Sequence, residues 1–587
     1  MTGNLFDYVE DVSARDGGSS CWTARTPRRP DARFDVTLLP RVPLWEEDED
    51  SREALRRIER EAWVDSFVSR SGEVHVRLDD GWIDTAGAAL EAGGSAEAGL
   101  ADLGAGKRVA VQFWDANATK ALHVGHLRNL AIGNSLAAAL EQAGAQVECR
   151  SLISDAGRSM GEAMAGVMSN GRNAHSWSDE EKSDHFVGLC YADYVSSLGS
   201  FAGRELEDSE DSFERELTPR GDTADELLKR VLAGDREALE VWYRTRAWVI
   251  AGQRKTLARL GVAFDRVFFE SDFLAEAAEL TAAGLRDGKL LRREDGVVVY
   301  ETGREEFDEL PLVRSDGLPT QHLRSVAYWM TEAPSLGTTT SVQICGTEWV
   351  AHASCINQLM SEFTQDVNGA NGNGVTGNGD AAGANANGAR RGSEHRNGND
   401  ALRVHPTRDI FHGMVARQKR AMTSGEGALL IDEVADWIDE QIDSDPQRRQ
   451  VRRSHPSPER IAGQIALGYF LPSQVTPRID FDPEKLLRDD ESLGWDLVRA
   501  RARRGSARAS SGKPADDPAY RFAVVQSELY RRHLRLAVDR FDLRPLSLYL
   551  KHLTRWHLEG DHGEHTERVV QTLLDRSARG LGLEGAR

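Results

Sequence analysis

Cysteine, long apolar runs and net positive charge are all scarce here. The 587 residues hold five cysteines (Cys21, Cys149, Cys190, Cys345 and Cys355), scattered and with no CxxC pair. That spacing excludes a disulfide framework or a zinc ribbon as the organising device. No window comes near the roughly 18 consecutive apolar residues of a membrane-spanning helix. The first stretch, MTGNLFDYVEDVSARDGG, lacks a basic region followed by an apolar one. No secretory leader is therefore expected, and the cytoplasm is the expected compartment. Net positive charge is lacking too. A formal charge of −21 argues against sequence-blind binding to a polyanion. Two basic stretches in the C-terminal third, RRQVRRSHPSPER (448–460) and RARARRGSARASSGK (499–513), read either as solvated faces or as a patch facing polyphosphate.

What is present has the periodicity of a multidomain α/β protein. The chain is too long for one core. Residues 1–30 carry little periodicity and read as a loose lead-in to a small α+β module that ends near 105. Its strand-like runs RFDVTLLPRV and GEVHVRLDD flank a charged helix over DSREALRRIEREAWVDSFVS. KRVAVQFWDAN (107–117) reads as a buried strand running into a loop, HLRNLAIGNSLAAALEQAGA as a helix, and QVECRSLISD as the next strand. Strand, helix and strand in that order predict a parallel sheet of the Rossmann type over 106–365, with a helical insertion at about 160–310. Residues 366–400 hold almost no apolar side chains and predict a disordered Asn/Gly-rich tether. Residues 401–454 return to the α/β domain, and 455–587 predict a helical bundle.

The chemistry concentrates in ATKALHVGHLRN, where His123, Gly125 and His126 stand at the hand-over from strand to helix. Open α/β sheets bind nucleotides outside the carboxyl ends of their strands, and a helix N-terminus presents free N–H groups and a positive dipole end to phosphate. Two imidazoles can donate hydrogen bonds to a phosphorus centre as pyrophosphate leaves. Such a well-placed donor is worth ~3–4 kcal/mol in a transition state. Lys120 adds a mobile positive charge for the outer phosphates. HxxH could also ligate a metal, but no acidic or cysteine partner lies nearby in sequence, so no protein-bound metal is expected.

These residues resemble the HIGH signature of class I aminoacyl-tRNA synthetases, in the arginyl-tRNA synthetase flavour. The likeness continues through SLISDAG, VRSDGLPT, ICGTEWVAH, FHGMVARQKRAMTSGEGALLIDEVADWI and LSLYLKHL. It implies an ATP-dependent ligase, with Mg2+ accompanying ATP, that forms an aminoacyl adenylate and passes the acyl group to an acceptor. His123 and His126 would stabilise the α-phosphate with Lys120 in support, and Gly125 would make room for adenosine. His352 would stand near the ribose, Met414 and Val415 would read adenine, and Thr423 and Ser424 lie in the loop that resembles KMSKS. Asn117 would hold the amino acid's α-substituents. A monomer is expected, with no membrane partner.

Departures from that pattern fall in two places. The KMSKS-like loop reads AMTSGEG, so its two lysine positions hold Ala421 and Ser424, and Lys120, Lys419 or Arg420 would have to supply the charge. In the amino-acid pocket, where the family places acids and a tyrosine around a guanidinium, this chain has Gln112, Gln321 and Ser325, with Trp349 in place of a glutamine. A buried guanidinium without a counter-ion costs several kcal/mol. The pocket therefore predicts a neutral amino acid, leucine-like or polar, unless another acid such as Asp115 or Glu348 stands in. A shortened C-terminal domain and an N-terminal module hard to match before residue 60 extend this expectation. They suggest a diverged paralogue that passes its acyl group to a small-molecule amine, as in antibiotic biosynthesis. The alternatives are a genuine arginine–tRNA ligase and a non-catalytic binding protein that kept the fold.

Overall fold

The computed structural model describes the chain apart from residues 1–4, 13–21, 28, 32, 41–48, 71–72, 93–98, 171–181, 199–220, 305–307, 336–339, 370–406, 414, 418–419, 422–428, 473–477, 504–511 and 585–587. The expected tether falls almost wholly outside the described residues. So do Met414, Thr423, Ser424 and Lys419.

Among the described residues, the expected loose lead-in holds a helix and a strand. The front of the chain runs α1 (Leu5–Val12), β1 (Trp22–Arg25), β2 (Val36–Pro40), α2 (Glu49–Glu59), β3 (Val64–Arg70), β4 (Glu73–Leu78) and α3 (Asp80–Glu91). The strands form an antiparallel sheet in the order β1-β2-β4-β3. Helix α1 is too short to be stable alone. It is held because Leu5, Phe6 and Val9 are buried and the Leu5 N–H donates to Glu528 at 3.1 Å. The expected charged helix stops at Glu59. Beyond buried Trp63 the chain turns to strand, and Val64 and Phe67 lie opposite Leu78 and Val76 of β4. Period-two packing there overrides the helical charge pattern.

The α/β domain is built on β5 (Arg108–Gln112), α4 (Val124–Gln142), β6 (Gln146–Ile153), α5 (Arg158–Ser169), α6 (Ser183–Ser197), α7 (Thr223–Leu232), α8 (Arg236–Leu260), β7 (Arg266–Phe269) and α9 (Leu274–Arg286). It continues through β8 (Leu291–Arg292), β9 (Val298–Glu301), β10 (Glu309–Val313), α10 (Gln321–Ser335), β11 (Thr340–Gly346), α11 (Val350–Gly369) and β12 (Thr407–His412). Strands β8 to β10 make a small antiparallel sheet of their own. The main sheet is parallel throughout, in the order β12-β11-β5-β6-β7. From β5 the chain winds one way, and from β11 the other. The β5/β11 crevice is thus the topological switch point, where such sheets bind ligands. Gly133 on α4 is required there, because a Cβ would sit 2.1 Å from the Phe113 ring carbon. Gly144 ends the helix region with φ of +85°.

Beyond the sheet come β13 (Val415–Arg417), β14 (Arg420–Ala421), α12 (Ile431–Ser444), α13 (Pro446–Ser454), α14 (Ile461–Phe470), β15 (Ile479–Asp480), α15 (Leu493–Ala502), α16 (Pro518–Arg540), α17 (Arg544–Glu559) and α18 (Glu564–Gly580). The C-terminal part is helical as expected, and it closes on the N-terminal module. Arg521 of α16, 1% exposed, donates to Asp35 at 3.0 and 2.7 Å and also reaches Asp80 and the Leu78 carbonyl. Of the first basic stretch, Arg452 bonds Asp443 at 2.9 Å and pairs with Asp439, so part of that charge is neutralised within the fold. No helix among the described residues is long and apolar enough to cross a membrane.

Candidate functional site

The HVGH turn caps its own helix. The His123 Nδ1 accepts the Gly125 N–H at 3.1 Å, and the His126 Nδ1 accepts the His123 N–H at 3.2 Å. Each ring therefore uses its Nδ1 lone pair on the backbone, so in the neutral form each must carry its proton on Nε2. Burial holds both rings neutral. It pushes His126 down to about 4 and His123 well below its usual value, with Lys120 nearby adding to both effects. The rings lie 3.9 Å apart. The result is a pair of adjacent neutral N–H donors at the switch point, at the mouth of a 19-residue helix.

The turn is fixed from both sides. Val124 N–H donates to the Leu429 carbonyl and Ile431 N–H to the Leu122 carbonyl, both at 3.0 Å. Gln253 of α8 donates to the carbonyls of Asn117 and Lys120 at 3.1 and 2.8 Å. The Lys120 ammonium stands 5.6 Å from the centre of the Tyr191 ring. Asn117 bridges Ser154 across the ends of β5 and β6. Val415, buried in β13, lies beyond Gly413, whose carbonyl accepts from buried Arg128 of α4.

The floor of the crevice holds a carboxylate, Asp115, one of the two acids that the sequence offers as stand-ins for the missing ones. The half-buried Asp115 accepts from the Gln112 amide at 3.0 and 3.1 Å, from the Gln343 amide at 3.3 Å and from the Leu152 N–H at 3.3 Å. Gln343, Gln112 and Arg150 lie opposite one another across β11, β5 and β6. Burial raises Asp115 to about 6, and the three neutral donors offset this only in part. Among the described residues no lysine or arginine pairs with it. Arg150 is spent through Nε on Glu148 at 2.7 Å, and its two terminal nitrogens have no acceptor among the described residues.

The other sequence-derived pocket residues are arranged less directly. Gln321 and Ser325 sit one turn apart on α10, and among the described residues neither bonds Gln112. Between them, buried Arg324 donates to Glu270 at 2.6 Å, and Ser154 donates to the same carboxylate at 2.9 Å. Trp349 packs on an imidazole pair rather than standing alone as a wall. Its ring centroid is 5.5 Å from that of His352 and 6.3 Å from that of His322.

Sequence reasoning did not single out a further cluster. Asp432, at the start of α12, accepts from Thr256 at 3.0 and 3.1 Å, contacts His185 at 3.1 Å, and pairs with Lys182, which also bonds Thr256 at 2.6 Å. Asp184, His185 and Asp432 are close enough to share a cation, and the Lys182 ammonium stands among them. Its residues are some 250 positions apart in sequence, so no local motif marks it.

The comparisons with known proteins agree with this architecture. Residues 95–328 match the family described as tRNA synthetases class I (R), catalytic domain. A stretch of 392 residues is 25% identical to the arginine–tRNA ligase of Treponema denticola, covering 65% of this chain and 57% of the relative. Shorter stretches match the arginine–tRNA ligases of Borrelia hermsii, at 27% over 253 residues, and Bacteroides fragilis, at 30% over 210 residues. Those two alignments span 41% and 35% of the relatives' length. In structure, the chain is similar to Thermus thermophilus arginyl-tRNA synthetase, with a TM-score of 0.62 at 18% identity, over 99% of this chain and 98% of that one. The arginyl-tRNA synthetase of Plasmodium falciparum gives 0.61 at 12% identity over 96% and 94%. Residues 95–328 thus resemble a class I tRNA synthetase catalytic domain, and the chain spans about a third to three fifths of the length of these sequence relatives. The near-complete coverage in fold also corrects the expectation of a shortened C-terminal domain and an unmatched N-terminal module.

Proposed function

We propose that this chain is an ATP-dependent ligase that activates arginine as its adenylate and passes it to tRNA. The observation that carries the first half is the pair of capped imidazoles at the switch point. In this reading the amino acid's carboxylate oxygen attacks the α-phosphorus of ATP and pyrophosphate leaves. His123 and His126 donate from Nε2 to the phosphoryl oxygens as charge builds there, and Lys120 follows the leaving group. Gly125 leaves room for the adenosine, Val415 and Met414 flank the adenine, His352 stands by the ribose, and Thr423 and Ser424 belong to the loop over the phosphates. Asn117 holds the α-substituents. A terminal tRNA hydroxyl then attacks the acyl carbon and AMP leaves.

Arginine is favoured by Asp115, a carboxylate held by neutral donors and so open to a cationic substrate group, and by the arginine–tRNA ligases among the relatives. A second reading has its own support. Gln112, Gln321, Ser325 and Trp349 are uncharged, and Arg150 brings positive charge beside Gln112. Both favour a neutral amino acid, which could be handed to a small-molecule amine. Pyrophosphate exchange with each of the twenty amino acids, with and without tRNA, separates the two. Arginine with tRNA as the signal supports the first. A neutral amino acid activated without tRNA supports the second. No exchange with any amino acid leaves only a binding protein.

A further inference from the structure

We propose that Gln253, in the helical insertion, is a positioning residue for the activation step. Its side-chain amide fixes the loop that carries Asn117 and Lys120, and so sets the amino-acid end of the crevice against the phosphate end. The inference rests on the adenylate-forming reading above and adds to it a residue far from the HVGH turn in sequence.

Gln253 lies on the inner face of α8 and is 1% exposed. A carboxamide nitrogen carries two N–H donors, and Gln253 spends both on the loop past β5. It donates to the Asn117 carbonyl at 3.1 Å and to the Lys120 carbonyl at 2.8 Å. Carbonyl oxygens only accept, so the loop itself dictates this orientation of the amide, and the Gln253 Oε1 finds no donor among the described residues. One planar group therefore pins both ends of the Asn117–Lys120 turn. From the sheet side, the Ala118 N–H donates to the Ser154 carbonyl at 2.9 Å.

The same face of α8 grips the other segments that close the crevice. Trp242 donates to the Asp155 carbonyl and Arg246 to the Asp155 carboxylate, both at 2.8 Å, just past the carboxyl end of β6. Thr256 donates to Asp432 at the start of α12, at 3.0 and 3.1 Å. Steps of four, seven and three residues keep positions 242, 246, 253 and 256 on one side of a helix. Helix α6 backs the rod at the same level, because a Cβ on Gly252 would lie 2.1 Å from the Asp184 Oδ1. Helix α8 thus aligns three crevice segments on one rigid body. Gln253 is its hold on the segment that bears both the proposed α-substituent ligand and the proposed phosphate-side lysine.

The test is Gln253→Met, which keeps length and volume and removes both donors. In pyrophosphate exchange with arginine and tRNA, kcat should fall by about tenfold to a hundredfold. KM for arginine should rise with it, because Lys120 and Asn117 shift together, while KM for ATP should stay within about twofold. A merely structural role removes active molecules, so kcat would fall with both KM values unchanged, and that result overturns the proposal. On a Lys120→Ala background the same substitution should cost much less in kcat; equal factors on both backgrounds refute action through Lys120. Gln253→Glu is the second variant. Its buried carboxylate repels the two carbonyls, and protonation restores one donor, so its activity relative to the wild type should climb as pH falls from about 8 to about 6. A ratio that does not change with pH counts against the proposal. Deuterium uptake needs no turnover: in Gln253→Met it should quicken within residues 115–122 and nowhere else in the sheet. Unchanged uptake there, or a rise along the whole chain, refutes the assignment. If the wild type shows no exchange with arginine, the proposed function fails, while deuterium uptake still decides what Gln253 holds.

Discussion

His123 and Leu430 face each other as an antiparallel bridge, so the residue that opens the signature helix is zipped to the residue that opens α12. Backbone bonds on either side, Val124 to Leu429 and Ile431 to Leu122, complete the tie. The AMTSGEG stretch, which resembles the KMSKS loop in sequence, leads into α12. Its far end is therefore anchored to the very turn that holds the two imidazoles. A shift of α12 must move His123.

Asp432 anchors α12 to the helical insertion, which makes it a test of that coupling. Burial alone would raise its pKa, but the bonds from His185 and Lys182 outweigh burial and lower it to about 2. A lowered folded pKa contributes stability that is present above the unfolded value near 4 and lost as pH falls toward 2. Asp432→Asn should cost about 2 kcal/mol at pH 7, with the gap to the wild type closing below pH 4. It should also raise KM for ATP. Denaturant melts across pH 3–7 check this, and a gap that stays constant would refute it.

His123→Asn should separate folding from chemistry. Asparagine is a good N-cap, so stability should change by less than about 1 kcal/mol. The shorter side chain cannot present the Nε2 donor, so amino-acid-dependent pyrophosphate exchange should fall by about a hundredfold or more. Equal exchange rates in the variant and the wild type would remove His123 from the phosphate site.

The Rossmann-type unit was legible in the sequence because every local signal agreed there: an apolar strand, a capping turn, a long helix with Gly144 after it, and a second strand. The front of the chain was not, because α1 is too short to announce itself and exists through Leu5, Phe6 and Val9 packing at the C-terminal helices. HVGH marked the turn that sets two imidazoles side by side at the switch point. The proposed amino-acid pocket was legible as missing acids at 112 and 325, with Asp115 and Glu348 as acids that could stand in. Asp115 takes its character from burial and from Gln112 three residues before it, and also from Leu152 and Gln343, which the sheet brings to it. The His322–His352 pair and the Asp432 cluster likewise depend on contacts that no local spacing encodes.

The N-terminal module and the C-terminal helices should separate when Arg521 is removed. Arg521→Ala leaves Asp35 buried without its partner, a loss of about 3–5 kcal/mol for a broken buried pair. Limited proteolysis should then cut within residues 1–105 while the rest of the chain resists. Asp35→Leu combined with Arg521→Met removes both charges and should restore resistance. Cleavage that is equally fast in the single and double variants would mean the pair does not hold the module.

Asp115 allows the choice of amino acid to be tested through pH. Burial raises its folded pKa to about 6 from an ordinary value near 4. A raised acid contributes stability that is full below the unfolded value and lost as pH rises from about 4 to 6. Asp115→Asn should therefore be more stable than the wild type at pH 7, by no more than about 3 kcal/mol, with the advantage vanishing below pH 4. A cationic substrate supplies the missing counter-charge, and at pH 5 it must first displace a proton. Arginine affinity, read by calorimetry, should rise roughly tenfold between pH 5 and 7, level off above that, and be lost in Asp115→Asn. Flat affinity across that range, or tight binding of a neutral amino acid in its place, would mean that the uncharged side chains at 112, 321 and 325 decide the pocket and that Asp115 does not meet a cationic side chain.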